Sequence, residues 1–241
     1  MKLFRYLSIL IFVILFACDG QKVWNEKPLI VLTFDDCHES IYETAFPMLQ
    51  EYGYDGTNIV CSGRPGIPPY YNWAQLTEMT ESGWEVAGHT VHHVVLSEIP
   101  VEDAEYEIAS DFGNLYSMGF DPQSFALPSG NVSEAVFEII KRYYSNIRNS
   151  MDTVNYFPVD PLTVGYFMVQ TEYSSAELIR RIQLAKYRGE CLLILGFHRI
   201  LEDDEAWIDN CQPQDFQEIL NYISEHDYEV LTMHKALQKC R

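Results

Sequence analysis

The sequence predicts an α/β fold, a distorted (β/α)7-8 barrel made as a single domain, and three observations carry that expectation. Strand-like and helix-like stretches alternate along the whole chain after residue 27, with no linker, repeat or low-complexity segment between them. Two strand-like runs, 29–34 and 191–197, are apolar or β-branched at nearly every position, the pattern of strands covered on both faces. The chain is 241 residues long, which suits a closed or nearly closed barrel. An open doubly wound sheet is the alternative. Both architectures place reactive groups just past the C-terminal ends of strands.

The elements follow in order. Residues 29–34 are the first strand. Residues 39–51 have helical spacing and stop at Gly53, 57–60 is a second strand, and a helix over 72–82 ends at Gly83. Residues 84–87 are a third strand. An amphipathic helix over 101–118 stops at Gly119, and the fourth strand, 124–127, is closed by Pro128. Asn131 or Ser133 caps a helix over 132–143. Strand-like pieces near 145–148 and 164–170 lead to a helix over 174–187 that ends at Gly189. The apolar strand 191–197, a helix over 213–225 and a last strand over 228–232 complete the pattern.

The first residues read differently. Lys2 and Arg5 precede a short apolar run that ends at Ala17 and Cys18, the pattern of a secretory leader. Leu15-Phe16-Ala17-Cys18 resembles a bacterial lipobox, in which the cysteine is lipidated. Three segments are therefore expected: a leader at 1–17, a tether at 18–27 and a catalytic domain at 28–241. The expected location is the bacterial cell envelope, with the membrane engaged only through a lipid on Cys18.

Composition narrows the partners. At 47% hydrophobic and 21% charged residues the chain has material for a core and is not of the disordered class. Its formal net charge is −19, and losing Lys2 and Arg5 with a leader makes it two units more negative. That excludes nucleic acid as a natural partner, because phosphates demand basic patches. The six cysteines include no CxxC pair, which argues against a cysteine zinc knuckle. With Cys18 lipidated five remain, and Cys211 with Cys240 is the expected disulfide in an exported protein.

The strand-end rule selects a small set of reactive residues. Asp35 and Asp36 follow the first strand, and adjacent carboxylates there are costly unless paired or metal-bound. Alternatively they cap the next helix. His89 and His93 follow the third strand four residues apart, a spacing that shares one face of a helical turn. Two imidazoles and a carboxylate make an open metal site. His92, at spacing three, is the rival second ligand. His198 ends the late apolar strand, whereas His38, His226 and His234 read as surface or structural, His38 being nearest to Asp36. Tyr70, Tyr71, Trp73 and Trp207 are available to stack on sugar rings, Tyr70 and Tyr71 foremost because their loop is rich in Pro and Gly.

Thr33-Phe34-Asp35-Asp36, His89-Thr90-x-x-His93, Pro128-x-Gly130 and Leu195-x-x-His198 together resemble, in order and spacing, the motifs of the polysaccharide deacetylases. These are the NodB-homology group, carbohydrate esterase family four. The resemblance runs from about residue 28 to 238 and implies a distorted (β/α) barrel. It implies that Asp36, His89 and His93 hold a divalent metal, zinc foremost, with cobalt, nickel, ferrous iron and manganese as alternatives. It further implies that Asp35 is the base acting on metal-activated water, that the Ser129 N–H helps hold the oxyanion, and that His198 is the acid. The substrate class would be an acetylated polysaccharide or oligosaccharide, cleaved at an N- or O-linked acetyl group.

The sequence also departs from the family pattern. Cys37 stands where Gly is usual and is a thiol beside the implied metal. Ala126 stands where an Arg usually orients the base, and Arg148 near the next strand end is the expected replacement. Ser129 stands where an aromatic is usual before Gly130. The Asp-x-x-Asp-Trp motif that tethers the acid histidine is missing, with Asp160 or Asp152 as stand-ins. Two other readings share this site: an amide hydrolase acting on a small non-sugar molecule, and a catalytically silent carbohydrate-binding relative. A lidded pocket beside the Tyr70–Trp73 loop favours the first, and an open groove favours a polymer.

Overall fold

The computed structural model describes Trp24 and residues 26–130, 132–202 and 208–241. The expected leader, Cys18, most of the tether, Asn131 and Trp207 lie outside the described residues.

The chain folds as one α/β domain around a curled sheet of seven parallel strands. They are β1 (Leu29–Asp35), β2 (Thr57–Val60), β3 (Glu85–Gly88), β4 (Ser124–Ala126), β5 (Asn146–Arg148), β6 (Phe167–Met168) and β7 (Leu192–Phe197), in the order β5-β4-β3-β2-β1-β7-β6. The fold is that of a distorted (β/α)7-8 barrel. The segment after β5 draws the two sheet edges together: Val164 bridges Arg148 of β5, and three residues later Phe167 pairs with Leu195 of β7.

The two apolar runs become the centre of the sheet. β1 and β7 pair in register from Leu29 with Leu192 to Phe34 with Phe197. Alternation sends their side chains to two separate cores. Ile30, Leu32 and Phe34 pack outward with Leu193, Leu195 and Phe197 under the helices, where Phe34 stacks on Trp84 at 5.0 Å. Leu29, Val31, Leu192 and Ile194 face the barrel interior. The same period of two puts Thr33, Asp35, Gly196 and His198 on the interior face, toward the rim.

The helices are α1 (Phe46–Tyr52), α2 (Trp73–Glu81), α3 (Val101–Ser117), α4 (Glu134–Ile140), α5 (Ser175–Arg188), α6 (Pro213–Glu225) and α7 (Met233–Lys239). Local chemistry sets their ends. Asn72 and Gln75 form a capping box on α2, Ser133 accepts from Val136 N at the start of α4, and left-handed Gly53 and Gly189 end α1 and α5.

Three expectations are corrected. The helix over 39–51 is not uniform: Ile41–Ala45 forms a π turn before α1, and the Phe46 N–H reaches back to the Ile41 carbonyl. Pro47 follows directly and has no N–H for the α-helical ladder. The strand over 228–232 reduces to a bridge between Val230 and Ile30, after which the chain turns into α7. A two-stranded ribbon of β8 (Arg199–Ile200) and β9 (Asn210–Cys211), unmarked by any apolar run, follows β7. The expected Cys211–Cys240 disulfide is absent. All five described cysteines are buried thiols, and Cys240 packs at the other end of the chain's core, donating to the Cys191 carbonyl at 3.7 Å.

Candidate active site

The residues past the strand ends converge on one open cleft of about 410 Å³. Asp35, Asp36, His89, His93, Ser129, Arg148 and His198 all line it, although they come from five strand ends.

Asp36, His89 and His93 form its first group. Asp36 Oδ1 lies 3.3 Å from His93 Nε2 and 3.7 Å from His89 Nε2. The two rings meet edge to face, with centroids 4.9 Å apart. His89 Nδ1 donates to the Ala126 carbonyl at 2.8 Å, which leaves the Nε2 lone pair toward Asp36. Burial pulls the His89 imidazole down to about 4, against the upward pull of Asp36 and Asp35, so it is neutral at physiological pH. For Asp36, burial alone would raise the carboxyl, but His89, His93 and Arg64 outweigh it and bring it down to about 2. A carboxylate oxygen with two imidazole nitrogens 3.3 and 3.7 Å from it is a donor set that fits a divalent ion.

The route to that geometry differs from the helical turn expected of 89–93. The segment is a loop, and Thr90 (φ 65°) and His93 (φ 58°) both adopt left-handed backbone to turn the rings together. Asp36 (φ 76°), Cys37 (φ 66°) and Ser129 (φ 54°) share this conformation. Non-glycine residues in this region carry local strain, which collects around functional sites. His92 is not part of the group: its Nδ1 lies 2.7 Å from Glu107 Oε1, and its side chain is largely exposed.

Asp35 and Arg148 form the second group. The Arg148 guanidinium spans the carboxylate, with Nη2 2.5 Å from Oδ2 and Nη1 3.3 Å from Oδ1. Nη1 also donates to Thr33 Oγ1 at 3.1 Å, and the Tyr166 ring covers the guanidinium at 4.0 Å. Both partners of the pair are almost completely buried. Gly196 makes room: a Cβ there would lie 2.6 Å from the Tyr166 ring.

His198 presents Nε2 at 4.0 Å from Asp35 Oδ2. Its buried Nδ1 has no hydrogen-bond partner among the described residues. Neither stand-in carboxylate reaches it. Asp152 is exposed and lies 3.9 Å from Arg181, while Asp160 accepts from the Leu162 N–H at 2.9 Å. Both sit on the segment that crosses from β5 to β7, one turned to solvent and one capping its own turn.

Two other expectations change. Cys37 is fully buried with Tyr71 beneath the site, and burial pushes its thiol up to about 12. Tyr71 is therefore core, and Trp73 packs on Phe120 at 6.4 Å. Tyr70 holds Arg64 over its ring at 5.0 Å instead of lining the cleft. The apolar lining comes from Leu127, Tyr166, Met168 and Ile208. Two residues that had drawn no notice stand at the site. Arg64 places Nη1 2.7 Å from Asp36 Oδ1. Cys61 places Sγ 3.7 Å from the same oxygen. The strand-end rule applied to the second strand would have selected Cys61.

A family model for polysaccharide deacetylase matches residues 22–145, just over half of the chain. The chain belongs to the polysaccharide deacetylase family. Among relatives of this deacetylase-family chain is a peptidoglycan-N-acetylglucosamine deacetylase of Bacillus cereus, 26% identical over 126 residues that make up 51% of this chain and 57% of the relative. A poly-beta-1,6-N-acetyl-D-glucosamine N-deacetylase of Staphylococcus aureus is 34% identical over 70 residues, 27% of this chain and 24% of that one. The chain thus spans about half the length of the Bacillus relative and about a quarter of the Staphylococcus one. The fold recurs in the Xyl-CE4 domain of a multidomain xylanase from the hindgut metagenome of Trinervitermes trinervoides. That likeness has a TM-score of 0.65 and 17% identity, over 89% of this chain and 91% of the other. Peptidoglycan deacetylase PdaC of Bacillus subtilis matches with a TM-score of 0.62 and 18% identity, over 88% and 93%. At these identities the likeness concerns the fold.

Proposed function

We propose that this chain is a metal-dependent hydrolase that removes N- or O-linked acetyl groups from a carbohydrate polymer outside the cytoplasm, tethered to the envelope by a lipid on Cys18. The observation that carries the reading is one cleft holding an Asp36–His89–His93 donor set beside an Asp35 carboxylate clamped by Arg148.

In this reading Asp36, His89 and His93 hold the ion, with zinc favoured. When bound, the ion supplies Lewis acidity toward the acyl carbonyl and makes a nucleophile of water at neutral pH. Asp35 takes the proton from the attacking water. Arg148 holds that carboxylate fixed in its buried position. The Ser129 N–H, which has no acceptor among the described residues, bonds to the oxyanion as the carbonyl carbon becomes tetrahedral. His198 Nε2 then donates a proton to the leaving sugar nitrogen or oxygen. The C–N or C–O bond breaks, acetate departs, and the amine or alcohol stays on the sugar.

The cleft favours a polymer over a small lidded substrate. It runs into a second hollow of about 200 Å³ that shares Ser150, Tyr166 and Met168 with it and extends to Tyr173. Acetate release from acetylated glucosamine oligomers, peptidoglycan and acetylated xylan tests the reading, with His89→Ala as control. Release by the wild type and loss of both metal and activity in His89→Ala are expected. A metal-loaded protein that releases acetate from none of these glycans would overturn the reading.

A further inference from the structure

Three neighbouring parallel strands, β1, β2 and β3, end side by side. The first residue past each is Asp36, Cys61 and His89. Strand register sets Cys61 level with His89 and one residue beyond Asp36: Asp35 pairs with Ile59, and Val60 with Gly88. Cys61 therefore stands between two of the residues assigned to the ion. Its side chain is fully buried, and Sγ lies 3.7 Å from Asp36 Oδ1. One ligand atom from each of Asp36, Cys61 and His89 fits within 4.8 Å of the other two. Around a zinc that also keeps a position for water, bonds of about 2.0–2.3 Å at angles of roughly 90–120° set neighbouring ligand atoms about 2.8–4.0 Å apart. The Asp36–Cys61 spacing falls within that range, and Sγ, which donates to the His89 carbonyl at 3.5 Å, exchanges that contact for the ion. Cys37 lacks this placement, since its Sγ turns under the loop to the Cys61 carbonyl at 3.9 Å.

We infer that Cys61 Sγ is a further protein ligand of the divalent ion, giving a five-coordinate site a sulfur donor beside one oxygen and two nitrogens and leaving the fifth position for water. The inference rests on the metal reading above and deepens it. As the sulfur–metal bond forms, the thiol proton passes to solvent, because a coordinating thiol is deprotonated by the ion it binds. A thiolate donor selects for softer ions, so zinc and cobalt are preferred over manganese and magnesium.

Cobalt reports its ligands by colour, which gives a readout independent of turnover. The reduced, chelator-stripped protein is titrated with Co²⁺, and both the visible ligand-field bands and the near-ultraviolet sulfur-to-cobalt charge-transfer band are recorded. Wild type and Cys37→Ala are expected to show both. Cys61→Ala and Cys61→Ser, checked for folding by circular dichroism, are expected to keep the visible bands, lose the charge-transfer band and bind cobalt at least about 10-fold more weakly. Losing even an outer-shell partner costs about 10–100-fold in metal affinity. Wild-type protein that binds cobalt without a sulfur band overturns the role of Cys61 and leaves the Asp36–His89–His93 site standing. So does a sulfur band that survives in the Cys61 variants. Wild-type protein that binds no cobalt overturns the metal site itself, and Cys61 with it.

Discussion

Asp35 and Asp36 are adjacent in sequence and opposite in surroundings. Asp35 is buried and held on both oxygens by Arg148, whereas Asp36 turns through a left-handed φ of 76° toward two imidazoles. Asp35→Asn should keep the metal and lose roughly 10²–10⁴-fold in turnover, the span that positioned proton transfer contributes. Metal content and acetate release measured on one preparation check this, and normal turnover in the variant would contradict the assignment. Arg148→Met should cost about 3–5 kcal/mol in urea unfolding, because it leaves a buried carboxylate without its partner. A loss under about 1 kcal/mol would show that the pair is not desolvated in solution. Asp35, Asp36, His89, His93, Arg148 and His198 were legible in the sequence because each stands at or just past a strand end, whereas Arg64 and Asp209 were not. Cys61 stands there too, but an isolated cysteine gives no spacing signal. Among the described residues Nδ1 of His198 has no partner, in line with the missing Asp-x-x-Asp-Trp motif.

The strand ends themselves are held by α3. Asp111, buried on that helix, accepts from Ser62 N just past β2 and from His89 N just past β3, both at 3.0 Å. Burial pushes its carboxyl up from 3.8 to about 7, against the hydrogen bonds it receives. The folded chain therefore keeps this proton up to about 7 while the unfolded chain releases it near 3.8, so the group's stabilisation is full below 3.8 and is lost as pH rises to about 7. Asp111→Asn does not titrate and lacks one acceptor, so its deficit against wild type should be largest near pH 4 and shrink by at most ~4 kcal/mol by pH 8. Urea midpoints across that range check it, and a deficit that grows with pH would contradict it. Element identity was readable because periodicity and caps agreed along most of the chain. It failed where tertiary bonding decides: at the π turn before Pro47, at Val230, which makes only a bridge, and in the two-residue strands β8 and β9.

At the scale of the molecule, two apolar strands and a parallel sheet were enough to expect a barrel, but strand order was not. The crossing of 164–168 between the sheet edges depends on Val164 meeting β5 and Phe167 meeting β7, contacts that no local pattern announces. That crossing also carries Tyr166 over Arg148, so closing the barrel and steadying the Asp35 clamp are the same packing event. An acidic chain of net charge −19 with an open cleft suits a neutral glycan, and in the proposed reading a bound metal would supply positive charge at the reacting carbonyl. The most direct test is acetate release from an N-acetylglucosamine polymer by wild-type protein, first stripped by a chelator and then reloaded with zinc or cobalt. The account predicts no release when stripped, recovery on reloading, and no recovery in Asp35→Asn despite equal metal content. Full release by the stripped protein, or recovery in Asp35→Asn, would contradict it.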